Sequence, residues 1–269
     1  METTVAAPTR TLVAPRDKKF TGMPTSGLFV LVGLPKSAKT TLIASAPNSY
    51  VLECEAGGAD RVDGRIEDVA DLQNFREAFK AAVETPEVKI IGVDTIDVVS
   101  EWWATEIAKS HGLEAITERR AGVDGFELWG EYGKRVEGFI AATKGCGKLV
   151  VVAAHCKDPK LDEKNNVIIP AGINVYGKAA SLLASQADLI GYTYKKQVGA
   201  ATEYFLTFRG GPLGIWGSRV EELNDKTIRL DRKNPWGSLT AVFDQPKPST
   251  NGHKTETVDR KVVAAGRRK

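Results

Sequence analysis

This 269-residue chain predicts an α/β fold with a mainly parallel central sheet flanked by helices. Short apolar runs alternate along it with segments of helical periodicity, the pattern of strands joined by right-handed crossovers. Gly33, Glu53 and Glu55, Asp94 and His155 all fall at or just after the ends of those runs. In parallel sheets that edge, beyond the carboxyl ends of the strands, is where ligands bind.

Each element can be read in order. Residues 28–32 (LFVLV) form a short apolar run ending at Gly33, and residues 40–46 continue as a helix. Residues 50–52 make a second short strand. Across 69–83, Leu72, Phe75, Phe79 and Val83 recur at helical spacing. Residues 90–93 are a third strand, closing on Asp94. A helix follows over about 97–110, and another over about 125–144 puts Phe126, Trp129, Tyr132, Val136 and Phe139 on one stripe. Residues 149–154 (LVVVAA) are a fourth strand that ends at His155. Residues 189–194 and 204–208 are two further strands, followed by a less regular segment holding Trp216 and Trp236. Trp102, Trp103 and Trp129 lie at helical spacing and read as core residues.

The apolar fraction of 42% and the charged fraction of 26% are those of a globular chain with a full core. No apolar run reaches the roughly 18 residues a membrane span needs. The first residues lack the continuous apolar stretch of a signal peptide, so the expected location is the cytoplasm. Cys54, Cys146 and Cys156 are odd in number and far apart, with no CxxC pair, which argues against a zinc site or a disulfide framework.

The net charge of +3 is unevenly spread. Residues 245–269 carry +5 and residues 1–24 carry +2, leaving −4 on residues 25–244. The two ends are rich in Pro, Thr and charge and poor in large apolar residues. They read as a flexible arm (1–24) and a disordered basic tail (245–269) around one domain, 25–244.

The segment after the first strand is Gly33-Leu34-Pro35-Lys36-Ser37-Ala38-Lys39-Thr40, followed by Thr41. It matches GxxxxGK[ST] except that Ala38 replaces the second glycine. Such a loop turns backbone N–H groups inward to cradle phosphates. Lys39 is expected to reach the β- and γ-phosphates of ATP, and Thr40 to ligate Mg²⁺ through its hydroxyl. Alanine adds a Cβ where glycine leaves backbone freedom, so it bears on the loop's affinity and turnover.

Three further segments complete a hydrolysis site. Lys89-Ile-Ile-Gly-Val-Asp94-Thr95 is an apolar strand closing on an acid, which places Asp94 near the metal with Thr95 beside it. Asp97 reads as a helix N-terminal residue. Residues 50–58 (YVLECEAGG) offer a carboxylate to activate the attacking water, Glu55 first and Glu53 in reserve. His155 is placed to contact the γ-phosphate and report it to the long polar segment 156–172.

The ordered set GLPKSAKT, LECEAGG, IIGVDT and VVVAAHCK resembles the RecA-like core of phage-encoded P-loop ATPases, AAA-type ATP-binding proteins that include the recombinase-like single-strand annealing proteins. The likeness covers roughly residues 25–195. It implies that Glu55 activates water, that His155 takes the place of the polar residue ending the sensor strand, and that the following loop contacts single-stranded DNA. It also implies a sheet whose sensor strand lies between the phosphate-loop and Asp94 strands. A host-cell cytoplasm and phage replication or recombination partners follow from the same resemblance. So does a homo-oligomer, ring or filament, in which a neighbour's cation reaches the γ-phosphate. Lys195, Lys196, Arg209 and Arg232 are the candidates for that cation.

The residues themselves say less about DNA. Segment 156–172 carries Lys157, Lys160 and Lys164 against Asp158, Asp162 and Glu163, and no aromatic ring. Tyr176 and Lys178 lie just beyond it. The readings left open are a single-strand annealing or recombination ATPase, a replication or packaging ATPase, and a nucleotide-binding interaction module of low turnover.

Overall fold

The apolar run at the start becomes β1 (Gly27–Gly33), which is buried on both faces from Leu28 onward, as a central parallel strand must be. The computed structural model describes residues 22–163, 167–211 and 214–244. The predicted arm and tail therefore lie almost wholly outside the described residues. Of the arm, Gly22 to Pro24 are described, and Met23 packs against the core.

After β1 come α1 (Lys39–Ala44), β2 (Ser49–Glu53), β3 (Ile66–Asp68), α2 (Leu72–Glu84), β4 (Ile90–Asp94), α3 (Ile96–Ser110) and α4 (Gly125–Gly145). β5 (Leu149–Lys157) leads to the small elements β6 (Lys160–Leu161), β7 (Val167–Ile169) and β8 (Gly172–Ile173). The chain then forms α5 (Ala179–Gln186), β9 (Leu189–Val198), β10 (Ala201–Thr207), β11 (Gly217–Ser218), β12 (Thr227–Leu230) and α6 (Pro235–Thr240).

Among the described residues the main sheet has the order β12-β10-β9-β1-β5-β4-β2-β3. β9, β1, β5, β4, β2 and β3 run parallel, and β10 and β12 close one side antiparallel. β5 lies between β1 and β4, the expected position of the sensor strand. Register brings the chemistry to one level: Gly33 pairs with His155 and Thr193, and Asp94 pairs with Glu53 and Ala153.

The two faces of β1 belong to two cores. Leu28, Val30 and Val32 pack with α2, α3, α4 and α5, while Phe29 and Leu31 pack with α1 and α6. In the larger core Phe139 lies 5.6 Å from Trp103, 5.9 Å from Phe79 and 6.2 Å from Phe75, ring centre to ring centre. Phe139→Ala empties that junction and is expected to cost about 3–5 kcal/mol. Urea unfolding should show it as a lower midpoint with an unchanged slope.

The structure corrects several expectations. Phe126 is 90% exposed and does not belong to the α4 stripe. The buried side is Leu128, Tyr132, Val136, Phe139, Ile140 and Thr143, and at 3.6 residues per turn Phe126 points roughly 110° away from the centre of that stripe. Segment 156–172 is not a structureless loop. β5 runs on to Lys157 and pairs with β8, and β6 and β7 form an antiparallel pair with exposed Leu161 and Ile169; Lys164 lies outside the described residues. The segment after residue 208 is more regular than expected, since α6 begins with Pro235 behind an Asn234 cap and buries Trp236. No helix among the described residues is long and apolar enough to cross a membrane.

Candidate functional site

The turn from β1 into α1 is shaped by two left-handed residues, Lys36 (φ 60°) and Ala38 (φ 72°). Ala38 stands at the head of α1 in the conformation that glycine adopts freely and an L-residue adopts at a cost of about 1–2 kcal/mol. Ala38→Gly is therefore expected to raise stability by about 1 kcal/mol, read as a higher denaturant midpoint. Gly33 is needed for a different reason. A Cβ there would meet Thr193 Oγ1 at 2.2 Å and Ser37 Oγ at 2.5 Å.

Those two hydroxyls form a latch: Ser37 and Thr193 share a hydrogen bond of 2.7 Å that ties the loop to β9. Thr193 was not legible in the sequence, since it lies in an ordinary strand run with no motif around it. Lys39 is buried, and its Nζ donates to the carbonyls of Gly33 (3.2 Å) and Leu34 (3.1 Å). Burial lowers the pKa of Lys39, opposed by the nearby carboxylates of Asp94, Asp97 and Glu55.

Thr40 donates its hydroxyl to Asp94 Oδ2 at the end of β4. Burial pushes the Asp94 carboxyl up, while the Thr40 hydroxyl and the Lys39 ammonium pull it down. Thr95, which follows through a cis peptide, heads α3 and makes no side-chain cap. The hydroxyl that bonds Asp94 is thus that of Thr40.

Glu55 follows β2 with its side chain 48% exposed, and its Oε2 lies 3.9 Å from His155 Nε2. Its backbone N–H and that of Cys54 both donate to the Asp94 carbonyl. Glu53 is turned away: it is buried, and Oε1 accepts the Ala59 N–H at 2.5 Å, bracing the loop that carries Glu55. Its reserve role as a water-activating group therefore fails on geometry. At the end of β5, the His155 backbone N–H donates to Asp97 Oδ2 at 2.9 Å, and Nδ1 lies 3.6 Å from the same oxygen. Asp97 stands in the first turn of α3 as expected, but its side chain also serves His155.

These groups surround one cavity of about 360 Å³, lined by residues 35–41, 55–58, Val62, 94–95 and His155. Gly33 and Leu34 stay outside the lining and contribute the carbonyls that hold Lys39. A second hollow of about 290 Å³ shares Lys36, Ala38 and Thr41 with it and is bounded by Arg61, Tyr204 and Arg232. The Arg232 guanidinium sits 5.5 Å over the Tyr204 ring. Arg232, though exposed, lines this hollow, which Lys195, Lys196 and Arg209, also exposed, do not.

The donor set fits a nucleotide with its metal. A buried ammonium donates to two loop carbonyls, and a hydroxyl–carboxylate pair lies next to it. Among the described residues no group of three or more His, Cys, Asp or Glu is placed to hold a metal ion. Thr40 and Asp94 suit Mg²⁺ in the usual way, as one or two protein ligands completed by phosphate oxygens and water.

Comparison with known proteins matches residues 28–220 to a protein family described as an AAA domain. No curated protein matches the sequence. Solved structures similar to the chain include the flagellar accessory protein FlaH from Methanocaldococcus jannaschii, at 11% identity, covering 76% of this chain and 84% of that one with a TM-score of 0.35. The RadB recombinase is another, at 13% identity, 79% and 90% coverage and a TM-score of 0.44. Likenesses this remote carry no argument about function.

Proposed function

Because the chain belongs to the AAA-domain family across residues 28–220, we propose that it binds ATP with Mg²⁺ in the 360 Å³ cavity, hydrolyses it, and works on single-stranded DNA. The observation that carries the first part is the convergence of Lys39, the Thr40–Asp94 pair and Glu55 around that one cavity. Lys39 is the group for the β- and γ-phosphates, released from the Gly33 and Leu34 carbonyls when phosphate oxygens replace them. Thr40 and Asp94 would hold Mg²⁺, which supplies charge neutralisation at the phosphate oxygens when bound. Glu55 orients and deprotonates the attacking water, and His155 at 3.9 Å senses the same end of the cavity. The second hollow, with Tyr204 under Arg232, offers room for the base and ribose.

The DNA part rests on the resemblance of the motif set and on the cations and ring that follow β5 in the chain, Lys157, Lys160, Tyr176 and Lys178, with the exposed Lys195 and Lys196 of β9 as further cations. Assembly into a ring or filament would bring Lys195, Lys196 or Arg209 of one copy to the γ-phosphate of the next. Turnover measured with and without single-stranded DNA, at two salt concentrations, tests this. The expected result is binding that weakens steeply with salt and ATPase activity stimulated by the DNA. Absence of both at low salt would sink it.

The charge of −4 on residues 25–244 favours a second reading, an ATPase whose partner is a replication or packaging protein. Capture of such a protein alongside weak DNA binding would decide for it.

A further inference from the structure

We propose that Asp97 is a positioning residue of the hydrolysis site, holding the His155 imidazole so that its Nε2 faces Glu55. The inference rests on the reading of Glu55 as the group that activates water. An acid in the first turn of a helix ordinarily faces that helix's own free N–H groups and solvent. Asp97 does more than that. Its side chain is 11% exposed and reaches from α3 across to β5, where Oδ2 accepts the His155 backbone N–H at 2.9 Å and stands 3.6 Å from Nδ1.

The opposite edge of the ring meets the second carboxylate, with Nε2 at 3.9 Å from Glu55 Oε2. One imidazole is thus flanked by two acids that come from different parts of the sheet edge, the head of α3 and the loop after β2. A carboxylate buried as Asp97 is costs free energy unless charge-assisted hydrogen bonds offset it. The His155 backbone N–H and the nearby ring offset part of that cost, and burial still raises the Asp97 pKa against their pull. An imidazole free to turn about its χ angles can present either nitrogen or a carbon edge to its neighbours. With Asp97 beside Nδ1, Nε2 is the atom presented to Glu55, as in sites where an acid orients a histidine through its other nitrogen. Asp97 does not line the nucleotide cavity; its carboxylate acts on the charge of Lys39 and reaches the Glu55 end through His155, and the His155 background isolates that second route.

The test is a double-mutant cycle read as kcat, KM and ATP affinity. Asp97→Ala is expected to lower kcat about 10-fold with ATP affinity within about 2-fold, because misplacing a group at the reacting end costs rate rather than binding. Asp97→Asn, which keeps an acceptor for the His155 N–H, should recover part of the loss and serves as the variant of safer folding. In a His155→Gln background Asp97→Ala should cost nothing further, whereas additive losses would overturn the proposal.

A second measurement needs no turnover. The chain has three histidines, His111, His155 and His253. Ring nitrogen resonances of His155 can therefore be assigned against His155→Gln. Asp97→Ala and Glu55→Gln should each shift them and leave those of His111 in place; unmoved His155 resonances in Asp97→Ala would refute the positioning role. A wild-type chain that binds ATP without turnover would overturn the hydrolysis reading alone, and the ring resonances would then decide whether Asp97 holds His155.

Discussion

Glu55→Gln is expected to leave ATP binding within about 2-fold of wild type and to slow hydrolysis by about 10²- to 10⁴-fold, the usual share of a positioned general base. Glutamine keeps the size and hydrogen-bonding reach of the side chain, so a water can still be held, but the amide cannot take its proton. Packing gives no reason for collateral damage. Glu55 is half exposed, and its own backbone N–H, which the substitution leaves intact, is what ties the residue to the Asp94 carbonyl. Single-turnover hydrolysis beside equilibrium binding of a fluorescent ATP analogue separates the two quantities. Normal hydrolysis by this variant would remove Glu55 from the mechanism. The alternative acid nearby, Glu53, is spent on the Ala59 N–H, so such a result would point to a group outside the loop after β2.

Lys39→Ala is expected to weaken ATP binding by about 2–3 kcal/mol, or roughly 30- to 150-fold, the cost of losing hydrogen bonds to a charged group. The same lysine is a burden on the protein without nucleotide. Burial lowers its pKa, which means that the charged form is penalised in the folded state at neutral pH. That penalty is full below the lowered pKa and fades only as pH rises through it toward the ordinary value of 10.5. Lys39→Met, which keeps the apolar stem without the charge, should therefore lose ATP binding while denaturing at a higher midpoint than wild type near pH 7. A variant that loses both binding and stability would show instead that the two loop carbonyls compensate the charge fully. Thermal shifts with and without Mg²⁺-ATP distinguish these outcomes, since a ligand that no longer binds no longer raises the midpoint.

Much of the sheet was legible because strands buried on both faces read as continuous apolar runs. LFVLV, IIGVD and LVVVAA are β1, β4 and the first part of β5, within a residue or so of where the pattern put them. Phe126 was misplaced because spacing alone does not say which of two neighbouring helical stripes faces the core. The edge strand β12 and the helices α5 and α6 are short, and their apolar positions are too few for periodicity to stand out.

What the sequence by itself determined is the phosphate loop and the order of the segments that face it. A loop of eight residues, an acid closing an apolar run and a histidine ending another are local patterns, carried by backbone requirements and spacing along a few residues. What only the tertiary structure decided is which of these side chains work together. Ser37 meets Thr193 across 156 residues and Asp97 meets His155 across 58. Glu53 and Glu55, two apart in one strand end, are sent to different tasks. Those outcomes depend on strand register and side-chain direction, which are set when the sheet assembles and are not written in the spacing of residues along the chain.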